Sequence, residues 1–458
     1  MLKLKGKKVL VVGLGKSGQS AARFLTDQGA KVTVSDSKSK NELSDALKAL
    51  ADLKIEFDLG KHDSKTFTSN ELIVLSPGVP PTIDGLAEAK AAGIPIINDI
   101  ELAYPYIKAP IIAVTGTNGK TTTTTLIADM LKADGKKVFT GGNIGTPVLN
   151  LLLNKETPDV VVLELSSFQL ETIDTFKPTV AVITNFEPNH LDRYPAGVES
   201  YYESKRRLLK NADKNTVLVT NLDNEPCARL AEKFPGKVNY FTKRDPMTIG
   251  GAVAENFNGA YLKRPRAVLK LNGKEEVLEM MLCKLPGDHN RENILAAAVA
   301  AAAVGCTKVG MQKTIESFRG VSHRLEFIRK KDNVVFYNDS KATSVPALTR
   351  ALGSFVAPVI LIAGGRDKDQ DFNPLTELVK KRVKTLILVG ESKEKINRVI
   401  GDFSETFLVG TFEEAVLLAY QKSRNGDIIL LSPACASYDM FKNFEERGDY
   451  FKKLVNQL

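Results

Sequence analysis

The segment Gly116-Thr117-Asn118-Gly119-Lys120-Thr121 joins an apolar run, Ile111–Thr115, to a helix-forming stretch that reaches about Lys132. A strand that turns through glycines into a helix binds phosphate. Backbone N–H groups at the helix start point at the anion, and the glycines let them come close. In such a loop Lys120 neutralises the β- and γ-phosphates of ATP, and the Thr121 hydroxyl ligates Mg²⁺. Val114 stands where the first glycine of the G-x-x-x-x-G-K-[ST] pattern belongs, so the loop is a shortened variant. Thr121–Thr125 is a run of weak helix formers, which marks positions where hydroxyls are wanted. The ATP contacts expected here are Gly116, Thr117, Asn118, Gly119, Lys120, Thr121 and Thr122.

Two further groups belong to the same chemistry. Val160–Glu164 is an apolar strand ending in an acid, and an acid at a strand's C-terminal end beside a phosphate loop is well placed to hold Mg²⁺. His190 follows the strand Thr179–Thr184 and should face the same sheet edge, which makes it the best metal-ligand candidate among four histidines. Earlier in the chain, Gly13-Leu14-Gly15-Lys16-Ser17-Gly18 follows a strand and opens a helix, with Asp36 about 20 residues on. This turn binds a pyrophosphate, and the acid binds a ribose or other hydroxyl. NAD satisfies it, and so does a UDP-sugar. Ser76-Pro77-Gly78 is a second strand-end turn facing the same crevice.

The elements that must position these groups alternate strand and helix throughout. Lys8–Val12, Lys31–Ser35, Leu72–Leu75 and Pro95–Ile97 read as buried strands of a parallel sheet. Pro110–Thr115, Asp159–Leu165, Thr179–Thr184 and Thr216–Thr220 form a second set. Phe241–Glu279 reads as antiparallel hairpins attached to it, and an alanine-rich helix over Asn293–Val304 closes the block. Val334–Tyr337, Val359–Ala363, Thr385–Val389 and Asp427–Leu431 form a third. The expected fold class is α/β with three domains: a Rossmann-like unit over 1–97, a P-loop-type ATPase with a small extra β region over 98–320, and a second Rossmann-like unit over 321–458. A length of 458 residues agrees with roughly three domains of about 150 each.

Composition excludes several classes. No apolar run approaches the roughly 18–20 residues of a membrane span. The basic start and apolar Val9–Leu14 are interrupted by glycine without a cleavage site, so a cytoplasmic protein is expected. Four dispersed cysteines, with no C-x-x-C pair, argue against zinc and a disulfide framework. The net charge of +9 is spread without a long basic block, and acidic small substrates account for it as well as nucleic acid does.

Taken together these segments resemble the Mur ligase family, the ATP-dependent amide-forming enzymes of peptidoglycan precursor synthesis. The matching residues include Gly13–Gly18, Ser76–Gly78, Thr115–Thr121, Gly142–Gly145, Glu164–Leu170, His190–Pro195, Lys205, His289–Asn293, His323-Arg324, Asn338–Thr343 and Ser432–Phe444. Asp192–Pro195, Ser432–Ser437 and Met440–Phe444 are similar to members that add D-glutamate to UDP-N-acetylmuramoyl-L-alanine. The resemblance implies a UDP-sugar site of Gly15, Lys16, Ser17, Gly18, Asp36, Ser76, Pro77, Gly78 and Asn143. It implies Asn293, Arg324 and Asp339 as further nucleotide contacts, and Lys368, Ser432 and Phe441 near D-glutamate. Lys120, His190, Lys205 and Lys341 are the implied catalytic set. The metal set is Thr121, Glu164, His190 and Lys205, with two Mg²⁺ ions. Alone, Lys205 reads as a solvated helix residue. In the family the matching lysine is carbamylated, an anion that orients a metal.

The reaction expected from this set activates a carboxylate as an acyl phosphate and lets an amine displace the phosphate. The expected partners are these small molecules, with no nucleic acid, and the expected state is a monomer. Three other readings stand beside it: a nicotinamide dehydrogenase that uses Gly13–Gly18, a nucleic-acid-stimulated NTPase, and a sibling ligase that adds a different amino acid.

Overall fold

A computed structural model describes residues 3–80, 82–188, 193–194, 196–249 and 255–458. The chain forms two compact units: Met1–Glu279 with Glu292–Thr314, and Met280–Arg291 with Ile315–Leu458.

The first unit contains two sheets. One has five parallel strands, β1 (Lys8–Val12), β2 (Lys31–Asp36), β3 (Ile55–Leu59), β4 (Leu72–Leu75) and β5 (Ile96–Ile97), in the order β3-β2-β1-β4-β5. Parallel strands carry helices on both faces, so the central ones read as unbroken apolar runs; Val9–Val12 and Leu72–Val74 are buried accordingly. The strand order reverses at β1, and the crevice beyond the C-terminal ends of β1 and β4 is where such sheets take ligands. The strand β3 was not anticipated. Its sequence, Ile-Glu-Phe-Asp-Leu, sits at a sheet edge with no residue fully buried.

The second sheet has nine strands: β6 (Ile111–Thr115), β7 (Val138–Gly142), β8 (Val160–Glu164), β9 (Val180–Ile183), β10 (Val217–Asn221), β11 (Lys237–Thr242), β12 (Gly259–Lys263), β13 (Arg266–Leu271) and β14 (Lys274–Glu279), ordered β14-β13-β12-β11-β10-β9-β6-β8-β7. Strands β6 to β12 are parallel, and β12-β13-β14 form the antiparallel hairpins expected of this region. Because β6 lies between β8 and β9, the residues after all three strands share one sheet edge. One core runs through both sheets, from Val9 and Leu25 to Leu163 and Phe176. Ser20 donates to Asn150 Oδ1 at 2.6 Å across the junction, and Asn98 donates to the Gln169 carbonyl.

The second unit holds β15 (Glu326–Lys331), β16 (Val334–Asn338), β17 (Val359–Ala363), β18 (Val383–Leu388), β19 (Glu405–Leu408) and β20 (Ile428–Leu431), ordered β15-β16-β20-β17-β18-β19. All pairs are parallel except β15 with β16. An apolar core covers each face. Among the described residues no helix is long and apolar enough to cross a membrane.

Candidate active site

The glycine loop leaves β6 and enters the helix Lys120–Ala133 through Gly119, whose φ of +81° lies in the left-handed region. The segment that follows β9 holds the loop. Thr117 donates its hydroxyl to the Glu187 carbonyl at 3.0 Å, the Asn118 N–H donates to Asn185 Oδ1 at 2.9 Å, and Asn118 Nδ2 donates to Glu187 Oε2 at 2.7 Å. Lys120 folds over the turn, its Nζ donating to the carbonyls of Gly116 at 3.0 Å and Thr117 at 2.9 Å. The loop is therefore held by its own hydrogen bonds, with the Lys120 ammonium over the turn. Thr117 and Asn118, expected to touch ATP, spend their side chains on fixing the loop. Of the threonine run, Thr123 donates to Asn293 Oδ1 at 3.3 Å and Thr125 to the Thr121 carbonyl at 2.8 Å.

A Cβ placed on Gly119 would come within 2.2 Å of Asn293 Oδ1. Gly119→Ala adds left-handed strain of about 1–2 kcal/mol to that clash. It is expected to weaken Mg-ATP binding by about tenfold or more in a fluorescent-nucleotide titration, and unchanged affinity would show that the loop is not the nucleotide site.

Glu164 ends β8 with 2% of its surface exposed. Asn143 donates its backbone N–H to the Glu164 carbonyl and its Nδ2 to Oε1, each at 2.8 Å, while Oε2 has no hydrogen-bond partner among the described residues. A buried carboxylate oxygen left unpaired calls for a cation or a donor. The sequence reading of Lys205 as solvated is wrong. It has 1% exposure, with its Nζ 4.5 Å from the Tyr201 ring centroid. Burial, and then the nearby Lys120 charge, lower its pKa to about 6, opposed by Glu164. The helix Val198–Arg206 buries Tyr201, Tyr202, Ser204 and Lys205 on one side. Its amine is therefore mostly neutral at pH 7, the form that can add CO₂. Among the described residues no three His, Cys, Asp or Glu side chains gather into a ready cage. His190, Asp192 and Pro195 lie outside the described residues.

A crevice of about 500 Å³ opens at the reversal point of the first sheet. Gly15, Lys16, Ser17, Asp36, Ser76, Pro77, Gly78 and Asn143 all line it. Asp36 has a structural task as well: Oδ2 accepts the Leu14 N–H at 2.7 Å, and Oδ1 accepts the Lys38 N–H at 2.9 Å. Ser76 donates to the Gly13 carbonyl at 2.9 Å. Gly18 does not face the crevice. A Cβ there would lie 1.8 Å from the Gly13 carbonyl oxygen, so this glycine serves helix packing. Asn143 belongs to both regions, lining the crevice while bonding Glu164.

In the second unit the expected residues divide. Asp339 is buried, its Oδ1 accepting the Leu325 N–H at 3.1 Å and its Oδ2 accepting the Ser432 hydroxyl at 2.8 Å. Burial raises its pKa to about 7 against those two bonds. Ser432 has 0% exposure and gives its hydrogen to Asp339. The Phe441 ring packs on Phe412 and Tyr450, with centroids at 5.2 and 5.9 Å. Phe444, which sequence reasoning passed over, lies 4.9 Å from Lys341 Nζ. Lys341 and Lys368 are exposed. Arg324 follows a tight turn in which its N–H donates to the Val321 carbonyl.

Arg447 was also missed. Its guanidinium is buried and donates to Ser340 Oγ at 3.0 Å and to the carbonyls of Ser340, Cys435 and Ala436 at 2.8, 3.1 and 3.3 Å. Burial lowers its pKa to about 10. It ties the loop carrying Lys341 to the loop after β20. Arg447→Ala orphans several buried acceptors at once and is expected to cost about 3 kcal/mol or more in a denaturant melt; a loss below about 1 kcal/mol would show that the loops hold without it.

Residues 7–98 match the family described as Mur ligase MurD-like, N-terminal domain, residues 114–301 the Mur ligase middle domain, and residues 323–435 the Mur ligase, glutamate ligase domain. A UDP-N-acetylmuramoylalanine--D-glutamate ligase of Bdellovibrio bacteriovorus is 48% identical over 463 residues, covering 99% of this chain and 98% of that protein. One of Geotalea daltonii is 43% identical over 457 residues, covering 100% and 99%. A solved pseudomurein peptide ligase type C from Methanothermus fervidus matches at a TM-score of 0.55 and 22% identity, covering 99% of this chain and 100% of that one, a likeness of fold. The chain belongs to the Mur ligase family.

Proposed function

We propose that this member of the Mur ligase family is the ATP-dependent ligase that joins D-glutamate to UDP-N-acetylmuramoyl-L-alanine in cytoplasmic peptidoglycan precursor synthesis. The observation that carries the reading is Asn143. It lines a pyrophosphate-type crevice and bonds the buried acid beside the phosphate loop, which links a UDP-sugar site to an ATP site in one unit.

The substrate carboxylate attacks the γ-phosphorus of ATP, ADP leaves, and an acyl phosphate forms. The amine of D-glutamate attacks the acyl carbon, a tetrahedral intermediate forms, and phosphate departs as the amide closes. The obstacle in the first step is two anions meeting. Lys120 and the backbone N–H groups of residues 119–121, at the start of the helix, are proposed to offset that charge. The Glu164 carboxylate, the Thr121 hydroxyl, His190 and a Lys205 carbamate would hold Mg²⁺, which shields the phosphates when bound. Two ions are proposed. Asn143 orients Glu164 and meets the incoming substrate. Lys341, beside Phe444, is proposed to steady the phosphoryl group or the amino acid, with Lys368 as a second cation. Arg324, Asn293 and Asp339 are proposed to support the nucleotide, Asp339 from within the fold. The dehydrogenase and nucleic-acid readings leave these features without a use.

With UDP-N-acetylmuramoyl-L-alanine and Mg-ATP, ADP release is expected on adding D-glutamate and not on adding lysine or diaminopimelate. Release that ignores D-glutamate would sink the reading.

A further inference from the structure

We propose that a hollow at the opposite end of the nine-stranded sheet from the phosphate loop binds a small monocarboxylate with an apolar body, and that its occupancy is coupled to nucleotide binding. No step of the proposed reaction uses this hollow.

Its volume is about 360 Å³, within the range of small-molecule sites. The floor is one face of the sheet. Val217 and Lys237 are paired first residues of the parallel strands β10 and β11, whereas the phosphate loop follows the last residue of β6. In the hairpin, Leu269 pairs with Glu276 and Leu271 with Lys274, so these four share a face. The roof is the end of the alanine-rich helix Asp288–Ala303, where Ala302 and Ala303 leave room that larger side chains would fill.

Asn239 lies two residues beyond Lys237 on the same face of β11, and it decides the charge of the guest. It has 6% exposure. The Asn272 backbone N–H donates to Asn258 Oδ1 at 2.8 Å, which identifies that atom as an oxygen. The other atom of the Asn258 amide, Nδ2, is then a donor, and it donates to Asn239 Oδ1. Asn239 therefore offers its Nδ2 to the cavity it lines, and that nitrogen bonds nothing among the described residues. A buried donor without a partner calls for an acceptor. Lys237 and Lys274, on the rim with no ion-pair partner among the described residues, favour an anion there. Glu276, on the same rim, opposes a second negative charge. One carboxylate on a short hydrocarbon meets these demands and covers Val217, Leu269 and Leu271.

The roof is fastened to the phosphate-loop helix Lys120–Ala133 in two places. Asn293 Oδ1 accepts from Thr123 Oγ1 at 3.3 Å and faces Gly119. Past the other end, the Cys306 thiol donates to the Met130 carbonyl at 3.4 Å, and the Thr307 N–H donates to Asp134 Oδ2 at 3.2 Å. Asn293 and Ala303 belong to one continuous helix. A guest that bears on Ala302 and Ala303 therefore bears on the helix that carries the phosphate loop. Each ligand then changes the affinity of the other by the same factor.

The test is isothermal titration of the full chain with hexanoate, hexanol and adipate. Wild type is expected to bind hexanoate about tenfold more tightly than either of the others. Asn239→Asp keeps the oxygen that Asn258 bonds and replaces the donor with an acceptor. It is expected to bind hexanoate about tenfold more weakly, with ADP affinity unchanged. Ala303→Leu fills the hollow and is expected to abolish hexanoate binding. Saturating hexanoate is expected to shift the ADP affinity of wild type about fivefold or more, and the same concentration is expected to leave that of Ala303→Leu unchanged. Equal affinity of wild type for hexanoate and hexanol would overturn the site, and so would hexanoate affinity that survives in either variant. Hexanoate binding with no change in ADP affinity would overturn the coupling. Failure of wild type to bind ADP at all would overturn the proposed function instead.

Discussion

Lys205→Ala is expected to lower turnover by about a thousandfold, the scale of removing one preorganised charge from a phosphoryl-transfer site. It is expected to do so without harming the fold. Lys205 has 1% exposure and a pKa near 6, so the unmodified ammonium is a liability where it lies. The sign follows from proton counts. Between about pH 6 and the ordinary lysine range the unfolded chain holds a proton that the folded one does not, so stability rises with pH across that window. Below about pH 6 the full cost of burying a charge remains. In CO₂-depleted buffer the alanine variant should therefore melt above wild type, by most below pH 6 and by less as the pH rises. Carbamylation changes the balance. The neutral amine attacks CO₂, a proton is released, and the side chain becomes an anion opposite Lys120. Adding bicarbonate should raise the melting temperature of wild type but not of the variant, and ¹³C-bicarbonate should give a carbamate resonance in wild type alone. Short carboxylic acids should restore part of the variant's activity by occupying the vacated space. Wild-type turnover in Lys205→Ala would remove the carbamate from the mechanism.

Glu164→Gln is expected to cost a similar factor, by a separable route. Glutamine keeps an oxygen for the 2.8 Å bond from Asn143 Nδ2, so the link between crevice and loop survives. What disappears is the charge on Oε2, the oxygen that has no partner. Mn²⁺ affinity in the presence of ADP, read by electron paramagnetic resonance, should fall about 100-fold, a typical penalty for damaging a metal site. The melting temperature should hold or rise, because a buried charge has been removed. Unchanged Mn²⁺ affinity would make Glu164 a structural residue and leave the metal elsewhere.

These two residues show how far the sequence reaches. Glu164 was legible because a short apolar run of valines ending in an acid, beside a phosphate loop, reads as a buried strand delivering that acid to the sheet edge. Lys205 was not legible from its surroundings. Glu203-Ser204-Lys205-Arg206-Arg207 looks like a solvated helix face, and only the family resemblance marked it. Burial of a helix face depends on what packs against it, here Phe186 stacked on Tyr202, with Lys120 and Glu164 near Lys205, and those partners come from other elements of the chain. The strands β7 and β15, like β3, escaped notice for a related reason. Val138–Gly142 ends in two glycines and Glu326–Lys331 is mostly charged, and both lie at sheet edges where the apolar signal fades.

Local sequence determined the glycine turns, the apolar central strands and hence the α/β class, because each depends on backbone freedom or periodicity over a few residues. Tertiary structure decided the side-chain assignments. Phe441 and Phe444 are three residues apart and chemically identical, yet one enters the core with Phe412 while the other meets Lys341. Ser432 turned inward to Asp339, and Asn143 joined two sites. Each of these outcomes is set by contacts between segments about 20 to 100 residues apart, and a hydrogen bond or ring contact over that distance exists only once the sheets are assembled.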